Sequence, residues 1–193
     1  MVPSAPVMLT TAGSVGLSGV NLPSLVNAIS QACLTSLAQP GTLMVTAAGT
    51  AGTGAIQGIG VIGPGPAVLS QLIVSYGASF GITGASFPQI AFAIANGVCT
   101  SLATATVQGI CLGVGAGAGS AKVASMNPAI INSAILANFA MFGILGSLSA
   151  NIANAISNGI ATYMNTSCAV PVVAIVGPPS VAPAATIATA QLL

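Results

Sequence analysis

Three stretches of the chain place apolar or small residues at intervals of three and four, the spacing that gathers them on one helix face. The first stripe is Leu25, Ala28, Ile29, Ala32, Cys33, Ser36 and Leu37. The second is Ile90, Ala93, Ile94, Gly97, Val98, Ser101 and Leu102, and the third Ile152, Ala155, Ile156, Gly159, Ile160 and Tyr163. The opposite faces carry Ser24, Asn27 and Gln31, then Gln89 and Asn96, then Asn151, Asn154, Ser157 and Asn158. Each pattern predicts an amphipathic helix with its stripe buried. The small residues in the stripes let a neighbouring backbone come close.

The three stripes sit in segments that resemble one another. Residues 14–38 and 79–103 align without gaps at an offset of 65 and share 10 of 25 identities. Residues 78–102 and 140–164 align at an offset of 62 and share 12 of 25. Gly16 and Gly19, Gly81 and Gly84, and Gly143 and Gly146 recur in step, as do Ala28-Ile29, Ala93-Ile94 and Ala155-Ile156. A fixed period is the signature of a repeat architecture.

The repeat reaches further upstream. Pro66-Ala67-Val68 matches Pro128-Ala129-Ile130 at the same offset of 62, and each opens an apolar run ending in Phe-Gly. Proline is favoured at the first position of a helix, so a unit starts with a helix of about four turns. A Gly-x-x-Gly break and the striped helix follow, and the first unit has a shortened opening helix near Pro6. After each striped helix come short apolar, Gly-rich runs: Met44–Ala47, Ile110–Leu112 and Pro171–Val176. Such runs suit extended segments or short strands. No charge guards their edges, so they are expected to pair with another chain. The expectation is therefore a mainly α chain, a single domain over 1–193, built from three tandem helix-hairpin repeats. Each repeat ends in a Gly/Val-rich extended segment or short β-strand, and the units cover approximately 1–61, 62–124 and 125–193.

Composition narrows the function. The 193 residues include one Lys, no Arg, no Asp, no Glu and no His, so 1% are charged, against about a quarter in an ordinary soluble domain. General acid–base chemistry needs groups that titrate near the working pH, and no base is present to activate a nucleophile. Hard metals want carboxylates, and zinc sites usually mix Cys with His. A phosphate-binding patch cannot be built from one cation. No enzyme, cofactor, metal site or direct nucleic-acid binding is expected.

A chain 54% hydrophobic in composition, with a mean hydropathy of +1.02 and almost no charge, favours association. Its neighbours must be other protein faces or lipid. The best candidates for a membrane helix, 129–146 and 90–107, are interrupted by Asn132, Ser133 and Asn138, and by Asn96 and Gly97. Lys122 alone could set topology, Trp is absent, and Tyr occurs only at Tyr76 and Tyr163, so the flanking charges and aromatic belt of a spanning protein are missing. Asparagines on the helix faces are costly against lipid and ordinary against water or protein. The opening MVPSAPVMLTT lacks the basic start and long apolar core of a secretory leader.

The remaining motifs are weak. Gly113–Lys122 has Ala121 before the lysine and Val123 after it, which departs from the phosphate-loop pattern. Cys33, Cys99, Cys111 and Cys168 form no C-x-x-C pair and read as small buried hydrophobes, with Cys111–Cys168 the one candidate bridge. Asn165-Thr166-Ser167 fits the glycosylation acceptor pattern and reads as a chance match. Lys122 invites an ion pair with the C-terminus of a neighbouring subunit. The residues expected to carry packing and assembly are Gly81, Gly84, Ile90, Ile94, Gly143, Gly146, Ile152, Ile156 and Lys122.

The sequence thus predicts a non-enzymatic structural subunit of a large homo- or hetero-oligomeric assembly, with a virion or phage-tail-like particle as its setting. Its partners would be copies of itself and other assembly proteins. A membrane-inserting or pore-lining protein is the alternative, and a surface coat or sheath subunit a third.

Overall fold

The computed structural model describes residues 4–37, 41–50, 52–62, 65–113, 116–167, 169–176 and 184–190. Among them the elements run α1 (Ala5–Ser14), α2 (Leu22–Leu37), β1 (Gly41–Thr50), β2 (Gly52–Ile62), α3 (Pro66–Ser79), α4 (Phe87–Thr104), β3 (Thr106–Gly113) and β4 (Ala116–Ser125). The chain continues with α5 (Pro128–Met141), α6 (Ser149–Ser167), β5 (Ala169–Val176) and β6 (Ala184–Ala190). The protein is mainly helical. Contacts divide it into two compact units, each drawn from three separate stretches of chain.

One unit takes in Met1–Ser36, Pro64–Ser101 and Asn127–Tyr163. Pro66 and Pro128 open α3 and α5, where the missing N–H is no loss because the first helical turn has no internal acceptor. Asn127 caps α5 by accepting a 2.9 Å hydrogen bond from the Ala129 N–H. Helix α1 has ten residues against fourteen in α3 and α5.

The stripes of α2, α4 and α6 form the heart of this unit. Ala28, Ile29, Ala32, Ala93, Ile94, Ala155, Ile156 and Ile160 are all buried. Small residues at the stripe centres admit the opening helices. A Cβ on Gly97 of α4 would meet the Ile131 carbonyl oxygen of α5 at 2.9 Å, and one on Gly159 of α6 would meet the Met8 backbone nitrogen of α1 at 3.0 Å. Between α2 and α3, the Thr35 and Tyr76 hydroxyls lie 2.9 Å apart. Asn151 of α6 donates to the Val15 carbonyl at the end of α1, at 3.1 Å. These contacts join α2 to α3, α4 to α5 and α6 back to α1.

The polar faces expected from sequence are only partly polar. Ser157 is buried, with its hydroxyl donating to the Asn154 carbonyl at 3.0 Å, because α6 is covered on more than its stripe. Asn138, read as an interruption of an apolar run, is buried and turned back onto the Ala134 carbonyl at 2.7 Å. A buried amide keeps its hydrogen bond by folding onto its own helix.

The second unit takes in Leu37–Gly63, Leu102–Met126 and Met164–Leu193. Each run after a striped helix, expected to be an extended segment or one short strand, forms two strands, and the six strands pair in chain order into a closed antiparallel barrel. The seam between β1 and β6 runs from Gly41 opposite Ala190 to Ala47 opposite Ala184. The expectation that uncharged strand edges pair with another chain is thereby corrected. Closure removes the edges, which solves within one chain the problem that charge solves elsewhere. Register shifts at Leu43/Val45, Thr106/Val107 and Gly117/Gly119 supply the extra local twist that a small barrel needs.

Candidate interaction surface

The ends of the helical unit where α1, α3 and α5 turn into α2, α4 and α6 are built identically. Gly16, Gly81 and Gly143 have φ of 73°, 78° and 68°, the left-handed region that glycine occupies without steric cost. At each turn the glycine N–H bonds two residues back from the cap: Gly16 to Gly13, Gly81 to Ala78, Gly143 to Ala140. The next N–H reaches further back: Leu17 to Ala12 at 2.9 Å, Ile82 to Gly77 at 2.8 Å, Ile144 to Phe139 at 2.8 Å. This pair of bonds is the Schellman closure of a helix C-terminus.

The second glycine of each pair plays a different part. Gly19, Gly84 and Gly146 accept hydrogen bonds from the Leu22, Phe87 and Ser149 N–H groups at the start of the following helix. Their φ values are not positive, and a Cβ there would meet nothing within 4 Å. Sequence alone presents the two glycines as equals; the backbone requires only the first.

The turns leave large apolar side chains in solvent. Val20 is 96% exposed, Leu145 80%, Met141 72% and Leu148 52%. Two open clefts lie among them. One, of about 490 Å³, is lined by Leu25, Ile90, Ile152 and the third turn from Phe142 to Ser149. The other, of about 570 Å³, is lined by the first and second turns together with the same Leu25, Ile90, Ile152 and Leu148. Leu25, Ile90 and Ile152, one from the start of each stripe, thus converge between the three turns.

Of the residues expected to matter, Ile94 and Ile156 are core and not surface. Ile90 and Ile152 are half-buried and line both clefts. Gly81, Gly84, Gly143 and Gly146 shape the turns. Lys122 lies in β4, opposite Gln108 of β3 and Ala169 of β5 in the backbone register. Leu193 and Cys168 lie outside the described residues, so the suggested ion pair and the Cys111–Cys168 bridge do too. The exposed Val20, Leu145 and Leu148 were missed because an apolar residue in a turn carries no periodic signal, and Met141 because it ends the apolar run of α5.

The chemistry of the described side chains is sparse. Burial pushes the Cys33 thiol up to about 12, with nearby Cys99 adding to the effect, and burial raises Cys99 to about 11. Both are therefore protonated and poor nucleophiles at neutral pH. Asn165 accepts from the Met126 N–H at 2.7 Å and donates its own amide to the Met126 carbonyl at 3.2 Å. The amide of the acceptor-like tripeptide is thus already engaged. No three His, Cys, Asp or Glu side chains gather to hold a metal among the described residues. The surface can offer apolar contact and neutral hydrogen bonds.

No family model, curated protein or solved structure matches this chain.

Proposed function

We propose that this protein is a non-enzymatic structural subunit of a large assembly, packed against copies of itself and other uncharged faces, with a virion or tail-like particle as its setting. The observation that carries the reading is the exposure of Val20, Leu145, Met141 and Leu148 on a chain with a single charged side chain. Water-facing hydrophobics clustered at one end of a compact unit, with no charge to keep molecules apart, favour association.

The chain is further read as three tandem copies of one unit, each a helix hairpin followed by a strand hairpin. The identical turn hydrogen bonds support this, as does a trade of side-chain size at matching positions. Ala12 stands with Leu22, Gly77 with Phe87, and Phe139 with Ser149. In the second pair the Phe87 ring occupies the space that a Gly77 side chain would need. A small residue on one helix matched to a large one on the other keeps the filled volume similar.

The membrane reading rests on the barrel, since no helix among the described residues is long and apolar enough to cross. Strands of seven to eleven residues approach the length needed to span. Six strands fall below the about eight of the smallest outer-membrane barrels, so the assembly reading is preferred. Detergent-free density-gradient fractionation of native material, followed by negative-stain electron microscopy, tests it. Regular particles containing the chain are expected. Flotation with lipid vesicles and release only by detergent would replace this reading with the membrane one, and recovery on intact cell surfaces with the coat reading.

A further inference from the structure

We propose that the turn face of the helical unit, centred on Leu145 and Leu148, docks on the same face of a second copy of this chain. The inference rests on the assembly reading and assigns one of its contacts. The three turns are built alike, yet they are not chemically alike. The third presents Met141, Leu145 and Leu148 to solvent, whereas the first presents Val20 and the second the part-exposed Phe80. The matching positions of the second are Ser79, Thr83 and Ser86, with Ala85 matching Val20. A threefold-symmetric partner would need three turns of similar chemistry. The apolar exposure is instead heaviest at the third turn, as a single contact about a twofold axis would have it.

Charge identifies the occupant. Residues 14–25, 79–90 and 141–152, which make up the face, contain no ionisable side chain. An ordinary protein surface pressed here would lose hydration from its own charges and find no counter-charge in return, which is strongly unfavourable. A second copy brings an equally uncharged face. The two clefts give that face relief: each is open, and their shared Leu25, Ile90 and Ile152 form an apolar floor. In an isologous contact the projecting Leu145 and Leu148 of each copy reach the clefts of the other.

The test is sedimentation velocity of the intact protein without detergent, comparing wild type with Leu145→Asn/Leu148→Asn. Both leucines are exposed, so the variant keeps its core, which circular dichroism checks. Loss of two central anchors on each side is expected to weaken the self-contact about a hundredfold or more, on the scale of interface hot spots. Val68→Asn, a half-exposed position on α3 away from the turns, serves as the control and leaves the species distribution unchanged. Ser147→Cys is also expected to cross-link two copies under mild oxidation in the wild-type background, and not in the double-asparagine variant.

If the variant assembles as wild type does and Ser147→Cys yields no cross-link, the docking inference fails while the assembly reading stands. If wild type sediments as a monomer at every concentration, both fail. Binding of this face to lipid vesicles or to a different protein, with no self-contact, also overturns the proposal.

Discussion

Gly97→Ala offers the sharpest test of how the helices are packed. The new methyl would lie 2.9 Å from the Ile131 carbonyl oxygen and 2.9 Å from Ile135 Cγ1. The isoleucine tip can rotate, but the carbonyl is held in the α5 backbone, so α4 and α5 must move apart. Overpacking of this kind costs about 1–3 kcal/mol. Alanine recovers about 1 kcal/mol of helix propensity over glycine. The rigid oxygen places the penalty toward its upper end, which leaves a net loss of about 1–2 kcal/mol. For a chain of this length that is a drop in Tm of about 3–6 °C. Gly13→Ala is the matched control. Gly13 is exposed, a Cβ there meets nothing within 4 Å, and the corresponding positions already hold Ala78 and Ala140. There only propensity acts, and stability rises by about 0.5–1 kcal/mol. Thermal unfolding followed by circular dichroism reads both. A Gly97→Ala protein as stable as wild type, or more so, would refute the close α4–α5 approach.

The paired glycines separate in the same assay. Gly143→Ala forces a side chain into φ of 68° and costs about 1–2 kcal/mol, whereas Gly146→Ala, with open space and no positive φ, stays within about 0.5 kcal/mol of wild type. Gly77→Ala crowds the Phe87 ring, and adding Phe87→Leu restores the Ala–Leu combination present at Ala12 and Leu22. A double-mutant cycle should then show favourable coupling of about 1 kcal/mol, and simple additivity would count against the size trade. Because burial raises the Cys33 thiol to about 12, it should react with iodoacetamide at neutral pH much more slowly than an exposed thiol, since the thiolate is the nucleophile. The same shift makes stability fall as pH rises from about 9 toward 12, because the unfolded chain releases its proton first. Mass spectrometry of alkylated peptides and an alkaline unfolding titration check the two signs.

The residues alone settle much of the helical half. Period-3.6 stripes mark α2, α4 and α6 and their buried faces, since an amphipathic helix records its core side in its own sequence. Proline marks where α3 and α5 start, and a recurring glycine marks where the opening helices stop, because both residues impose local backbone constraints. The lack of ionisable groups is likewise a property of composition. Other features depend on residues far apart in the chain, and tertiary structure alone decides them. The opening helices mix apolar and polar residues without a clear stripe, so nothing local picks out Met8, Leu69, Ile73, Ile131 and Ile135 among their fully buried residues. That choice belongs to the striped helices facing them, as Gly159 shows against Met8 and Gly97 against Ile135. The closing of β1 on β6 pairs residues more than a hundred positions apart, a register no short-range pattern contains. Whether an apolar turn residue ends inside or outside is also fixed at that level, because burial depends on which chain comes back to cover it.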